Sequence, residues 1–186
     1  MKKFLLALLL LPTFVFAADT LDTGDTAWMM VSTALVLLMT PAGLALFYAG
    51  MSRNKNILNT FAMVMGAFVV AFVVWIIAGY SIAFGTSDSA MLQNVVGGLG
   101  NVMLNGIAWN ELSGTYPTYV FIVFQGTFAA ITVAIAAGSV IERINFSTWL
   151  VFVAIWGLVV DAPITHIVWC GDGALLFDLG YIDFAV

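Results

Sequence analysis

The sequence predicts an all-α protein that crosses a lipid bilayer several times. Three observations carry this. Hydrophobic residues make up 63% of the chain and charged residues only 8%, with a mean hydropathy of +1.10, whereas a soluble domain has about a quarter of its residues charged. The apolar residues fall in four long runs, each able to cross a hydrocarbon core of about 30 Å at about 1.5 Å per residue. The basic residues beyond position 3 are Arg53, Lys55 and Arg143, and all three lie in two short loops.

Residues 1–18 read as a secretory signal peptide. Lys2 and Lys3 supply the positive end, Phe4 to Leu11 the apolar core, and Val15-Phe16-Ala17-Ala18 a small-residue cleavage site. The other reading is an uncleaved first helix. Asp19, Asp22 and Asp25 follow it and suit the outer side of a membrane.

The first span is expected at 26–50. Pro41 is tolerated inside it where packing satisfies the freed carbonyl. Gly43 and Gly50 read as small faces against a neighbour, and Tyr48 reads as an interfacial aromatic. The polar turn 51–56 leads to a second span at 57–84, with Trp75 and Tyr80 toward its far end. Residues 85–115 form a polar, glycine-bearing loop in which 91–104 suits a short interfacial helix or re-entrant piece. A third span at 116–140 carries Gln125, Thr127 and Thr132 at bilayer depth, with Gly126 and Gly138 for close helix contact. After the turn 141–146, a fourth span runs over 146–169. Residues 170–183 make a short loop, and an apolar segment reopens at 184. Ending at Val186, the chain reads as the front portion of a larger transport protein.

Running the spans alternately out-to-in and in-to-out puts 51–56 and 141–146 on the inner side. Those two loops hold every basic residue outside the signal, while 85–115 and 170–183 hold acids only. This is the positive-inside pattern. It agrees with a cleaved signal and a mature N-terminus outside the cell, in a multi-pass protein of the inner (plasma) membrane.

Few residues are candidates for chemistry. Phe124 and Phe128 are four apart and share a helix face, either as a ring gate over a narrow passage or as ordinary helix packing. Trp169 is either an interfacial tryptophan or a cation–π face at the outer mouth. Asp183 precedes an apolar restart and can cap the next helix, lend a negative field to a cation, or do both. Asp161 lies inside the fourth span beside Pro163. There it faces the protein interior or is protonated, unless the span ends earlier than drawn. Ala162-Pro163 is a candidate helix break. His166, with no second histidine in the chain and no cysteine ligand set, is not a metal site and is expected to bond a backbone carbonyl. One cysteine, Cys170, excludes an internal disulfide. No nucleotide loop, zinc motif, catalytic triad or paired-carboxylate arrangement is present, so no enzyme activity, cofactor or metal is expected. Five scattered basic residues exclude a nucleic-acid surface.

Four pieces of sequence, in order, resemble the ammonium transporter family. They are MTPAGLALFYAGMSRNKNILNT at 39–60, FIVFQGTFAAIT at 121–132, GSVIERINFS at 138–147, and HIVW at 166–169 followed by DFA at 183–185. The resemblance covers roughly residues 25–186. It implies the first five-helix half of an eleven-helix fold, cut within helix five, in a protein that forms homotrimers with one pore per subunit and two halves related as inverted repeats. It also implies a mechanism. Ammonium is recruited at an outer aromatic site, loses a proton, passes a phenylalanine gate and follows a hydrophobic pore lined by two histidines. By resemblance, Phe124 and Trp169 are walls of the recruitment site, Phe128 is a gate member, and Asp183 is the acid that supports recruitment or deprotonation. Gln125 and His166 are framework residues near the mouth. The pore histidines lie beyond Val186, so these residues alone are not expected to conduct. Asp161, where the family usually has an aromatic or apolar residue, and Cys170-Gly171-Asp172, in place of a glycine run, are departures in the vestibule. The implied partners are ammonium or ammonia, the lipid bilayer and a cytoplasmic PII-type regulatory protein. The alternatives are an ammonium sensor with the same membrane fold and a later signalling domain, or a truncated fragment that does not transport.

Overall fold

The computed structural model describes residues 20–181 and 183. The expected signal peptide and the start of a fifth span lie outside the described residues. Four long apolar helices are present: α1 (Thr23–Met51), α2 (Asn54–Phe84), α3 (Thr118–Val140) and α4 (Phe146–Trp169). Their bounds lie within three residues of those read from the sequence. A small ribbon of two antiparallel strands, β1 (Leu112–Ser113) and β2 (Tyr116–Pro117), precedes α3. Between α2 and β1 the loop holds only a four-residue helix, Ala90–Gln93, and one 3-10 turn, Val102–Leu104. The helix stops after Gln93: the Val95 and Val96 N–H groups both turn back to the Leu92 carbonyl, and the Gly97 N–H donates to the Ile82 carbonyl at 2.7 Å, so no longer helix forms over the expected stretch 91–104.

Helix α2 is central, packing against α1, α3 and α4, while α1 also packs on α3. The interface is built from small side chains. Ala67 and Ala71 of α2 meet Ala130, Ala134 and Ala137 of α3, closed by the fully buried Trp149 and Val153 of α4. In lipid, where apolar burial gives little drive for helix association, close approach by small residues is what dispersion requires. The Trp149 indole N–H donates to the Met63 carbonyl at 2.9 Å. The outward faces carry large apolar side chains, including Trp28, Leu35, Leu58 and Val159 at 71, 61, 80 and 66% exposure. Such surface is covered by hydrocarbon rather than water.

The glycines divide differently from the sequence reading. Gly43 and Gly50 have nothing within 4 Å of where a Cβ would stand, so they face open space rather than a neighbour. Close approaches between helices fall at Gly66 of α2, where a Cβ would lie 2.9 Å from Leu150 of α4, and at two glycines of α3. A Cβ on Gly126 would lie 2.8 Å from Trp75 Cδ1, and one on Gly138 would lie 2.8 Å from the Tyr48 ring. Tyr48, expected as a membrane-interface aromatic, packs over Gly138 and donates its hydroxyl to the Ile135 carbonyl at 2.8 Å. Trp75 and Tyr80, near the far end of α2, are interior. Trp75 is 2% exposed, and its indole N–H donates to the Ile122 carbonyl at 3.0 Å.

Three of the helices contain a π turn: Met39–Leu44 in α1, Trp75–Gly79 in α2 and Gly157–Asp161 in α4. In each, the residue after the turn bonds five residues back: Ala45 to Thr40, Tyr80 to Trp75, Ala162 to Gly157. Pro41 lies within the first turn. Pro163 follows the third, in the opening turn of the resumed α-helix, where its missing N–H is tolerated. The expected break at Ala162-Pro163 is therefore a widened turn, and α4 continues through it.

The ends of the helices segregate by charge. At one end Arg53 pairs with Glu142, the guanidinium Nε donating to Oε2 at 2.6 Å and the Arg53 backbone N–H to Oε1 at 3.1 Å. This joins the α1–α2 turn to the α3–α4 turn. The Arg53 guanidinium holds the Glu142 carboxyl down to about 2. At the other end the α1 start is tied to the ribbon. Asp22 caps α1 by accepting from the Asp25 N–H, and Thr115 donates its hydroxyl to Asp25.

Candidate functional site

At the acid-bearing end, a cavity of about 260 Å³ opens between α2, α3 and α4. The sequence folds to this shape because α4 presents Asp161, Ile164, Thr165, Val168 and Trp169 toward it. These fall at positions i, i+3, i+4, i+7 and i+8, one face of a helix. From α3 come Gln125, Phe128, Ala129 and Thr132, again i, i+3, i+4 and i+7, and from α2 comes Trp75.

Trp169 stands at the mouth. Its indole N–H donates to Asp183 Oδ2 at 3.0 Å. The bond fixes the ring's orientation, leaving the π face as the surface it can offer a cation. A carboxylate at the ring edge adds negative charge beside that face. The capping role expected of Asp183 concerns residues outside those described.

Phe128 lines the cavity from α3. Phe124 does not. It packs edge-on against Phe128, with centroids 5.0 Å apart and planes at 76°, a favourable aromatic geometry that sets the Phe128 ring. Gln125 is buried at 8% exposure and Asp161 at 9%, and both reach the cavity wall. Asp161 thus faces the interior, two turns inside the end of α4. On its other side a crevice of about 10 Å³ lies between the π turns of α2 and α4.

His166 turns away from the cavity. Fully buried, it places Nδ1 2.9 Å from the Ala83 carbonyl oxygen and Nε2 2.7 Å from that of Gln93. A ring N–H between those carbonyls pins the end of α4 to the end of α2 and to the 85–97 loop. Gln93 extends the tie by accepting the Ser87 N–H at 2.6 Å. Cys170 sits beside this network, and burial pushes its thiol up, away from reactive thiolate character. Among the described residues no group of His, Cys, Asp and Glu comes together in a form that holds a metal.

Among the cavity walls that sequence does not single out, the two large rings are Trp75 and Trp156. Trp75 is positioned by a π turn and by the absence of a side chain at Gly126. The one local signal was the small residue pair Gly126 and Ala129 at i and i+3, which leaves a hollow for a large ring from a neighbouring helix.

These features bear comparison with known proteins. The family model described as Ammonium Transporter Family matches residues 27–186. An ammonium transporter of Aquifex aeolicus is 43% identical over 178 residues, covering 93% of this chain and 40% of that protein. One from Mycobacterium tuberculosis is 44% identical over 165 residues, covering 82% and 34%. The crystal structure of Candida albicans Mep2 superposes with a TM-score of 0.77 at 34% identity, over 92% of this chain and 37% of that one. A solved structure described as a sensor Amt protein gives a TM-score of 0.75 at 22% identity, over 87% and 39%, a likeness of fold. The chain spans about two-fifths or less of the length of the relatives it matches.

Proposed function

Since this chain belongs to the ammonium transporter family, we propose that the cavity beneath Trp169 is the outer entrance of a transmembrane path for ammonium or ammonia. The path belongs to the whole gene product; the residues described supply its mouth and first walls and do not conduct alone. In this reading the acid-bearing ends of the helices face outward and the Arg53–Glu142 end faces the cytoplasm. The whole protein sits in the inner (plasma) membrane as a homotrimer, with a PII-type protein as a cytoplasmic partner.

The observation that carries the reading is the hydrogen bond from Trp169 to Asp183 at the mouth of a cavity walled deeper in by Phe128. A cation arriving from water loses part of its hydration. The indole face returns about 0.5–2 kcal/mol, and Asp183 adds negative potential at the ring edge. Below, apolar rings and alanines offer little to replace the remaining hydration, so the neutral form of the substrate is favoured as it descends. Phe128, held by Phe124, then limits passage by size.

The test is uptake of radiolabelled methylammonium by cells lacking their own ammonium transporters and expressing the whole gene product. Trp169→Leu keeps an apolar side chain and removes the π face and the donor to Asp183. Losing about 0.5–2 kcal/mol predicts a rise in half-saturating concentration of about 2- to 30-fold. No uptake above background by the wild-type protein, with the protein shown to be in the membrane, refutes the reading.

A further inference from the structure

Asp161 is a buried carboxylate that the entrance mechanism leaves unused. Asp161 and Gln125 are residues of 9% and 8% exposure, and both line the cavity. Neither side chain makes a hydrogen bond to a described residue, and neither belongs to the polar groups sealed from the cavity without a partner, which are Thr40, Thr60 and Thr118. The basic residues Arg53, Lys55 and Arg143 lie at the opposite ends of the helices, so no described positive side chain balances Asp161. A buried carboxylate without donors or a counter-charge is strongly unfavourable. The backbone is nonetheless arranged to place it there. The π turn Gly157–Asp161 ends on this residue, with the Ala162 N–H reaching back to the Gly157 carbonyl, and single π turns recur at functional sites. Eight residues separate Asp161 from Trp169, about 12 Å along the axis. Phe128 lies ten residues into α3 from the same end, about 15 Å, so Asp161 stands near the level of the ring.

We propose that Asp161, with the Gln125 side-chain oxygen, forms a second cation-holding position near the level of Phe128, taking a small monovalent cation of ammonium size. The proposal rests on the transport reading above and moves the loss of charge inward: the substrate keeps its charge past the Trp169 mouth and down to Asp161, and the neutral form is favoured only below that level. Both residues line one cavity and each carries a side-chain oxygen acceptor, which suits a cation with several N–H donors. Thr165, one turn outward of Asp161 on the same face, adds a hydroxyl between the two positions.

Two measurements on the whole gene product test this. In proteoliposomes, methylammonium uptake is compared for wild type, Asp161→Asn and Asp161→Glu. Asn keeps the size and removes the charge. The expected result is a rise in half-saturating concentration of about tenfold for Asp161→Asn, with partial recovery in Asp161→Glu. Crystals soaked in rubidium, a cation of ammonium size, should show an anomalous peak beside Asp161 that is absent in Asp161→Asn. A carboxyl held neutral for purely structural reasons would tolerate Asn with unchanged saturation and would show no rubidium. Either result overturns the proposal. If wild type transports methylammonium and Asp161→Asn matches it, the second position is wrong and the transport reading stands. If wild type does not transport, the transport reading itself fails. A rubidium peak confined to Trp169 and Asp183 also overturns the second position.

Discussion

Gly126→Ala is the sharpest test of the packing that shapes the cavity. The added methyl would lie 2.8 Å from Trp75 Cδ1, 2.9 Å from Phe72 Cε2 and 3.1 Å from Trp75 Nε1, closer than carbon contacts tolerate. Three effects compete. Replacing glycine within a helix favours the variant by about 0.5–1 kcal/mol. Overpacking a tight interior costs about 1–3 kcal/mol. Moving the Trp75 indole off the Ile122 carbonyl, now 3.0 Å away, strands a buried donor at a cost of about 1–3 kcal/mol. The net expectation is a loss of about 1–5.5 kcal/mol. Gly50→Ala is the internal control, because nothing lies within 4 Å of its added carbon and only the favourable helix contribution remains. The assay is thermal unfolding of the purified whole protein in detergent, monitored by tryptophan fluorescence, which also reports the displaced Trp75. Gly126→Ala should melt below wild type and Gly50→Ala at or above it. Equal melting temperatures for the two variants would refute the claim that Trp75 is seated by the missing side chain at Gly126.

Three further outcomes follow from the same packing. Trp149→Ala removes a fully buried indole and its bond to the Met63 carbonyl and should cost about 3–5 kcal/mol, read as a large fall in melting temperature or loss of membrane-inserted protein. Tyr48→Phe deletes only the hydroxyl that reaches Ile135 and should cost about 0.5–1.5 kcal/mol by the same melt. The Arg53–Glu142 pair gives a pH signature. Glu142 is held down to about 2, below its ordinary value of about 4.3. Its contribution is therefore full above the ordinary value and fades as pH falls toward 2. The melting difference between wild type and Glu142→Gln should be present at pH 6 and nearly gone at pH 2. The exposure of Arg53 keeps it small.

Much of the fold was legible in the chain because lipid imposes a simple rule: uncharged runs long enough to cross must be helices, whose backbone groups satisfy one another. That rule marked four spans within three residues of their bounds, and the confinement of Arg53, Lys55 and Arg143 marked which loops share a side. The mouth of the site was legible in part, since an aromatic at a helix end and a carboxylate before an apolar restart stand out against an apolar background. The depth of the site was not. Asp161 was visible as an anomaly, but its direction depends on the π turn at Gly157–Asp161, which rotates the face that α4 presents and leaves no mark in hydropathy. Nor did periodicity reveal which glycines touch a neighbour, because Gly43 and Gly126 look alike until a second helix is laid beside them.

Hydrophobicity and charge, taken alone, determined that the chain is a bundle of membrane helices and how their ends are sorted, since both follow from transfer out of water, a property of each segment by itself. Only the tertiary structure decided that Trp75 and Trp156 wall the cavity, that His166 ties three segments together and faces away from it, and that Asp161 and Gln125 look into one space. Those facts depend on helix rotation and on contacts between segments far apart in the chain, where the gain of fitting one side chain against another exceeds any preference either residue has locally.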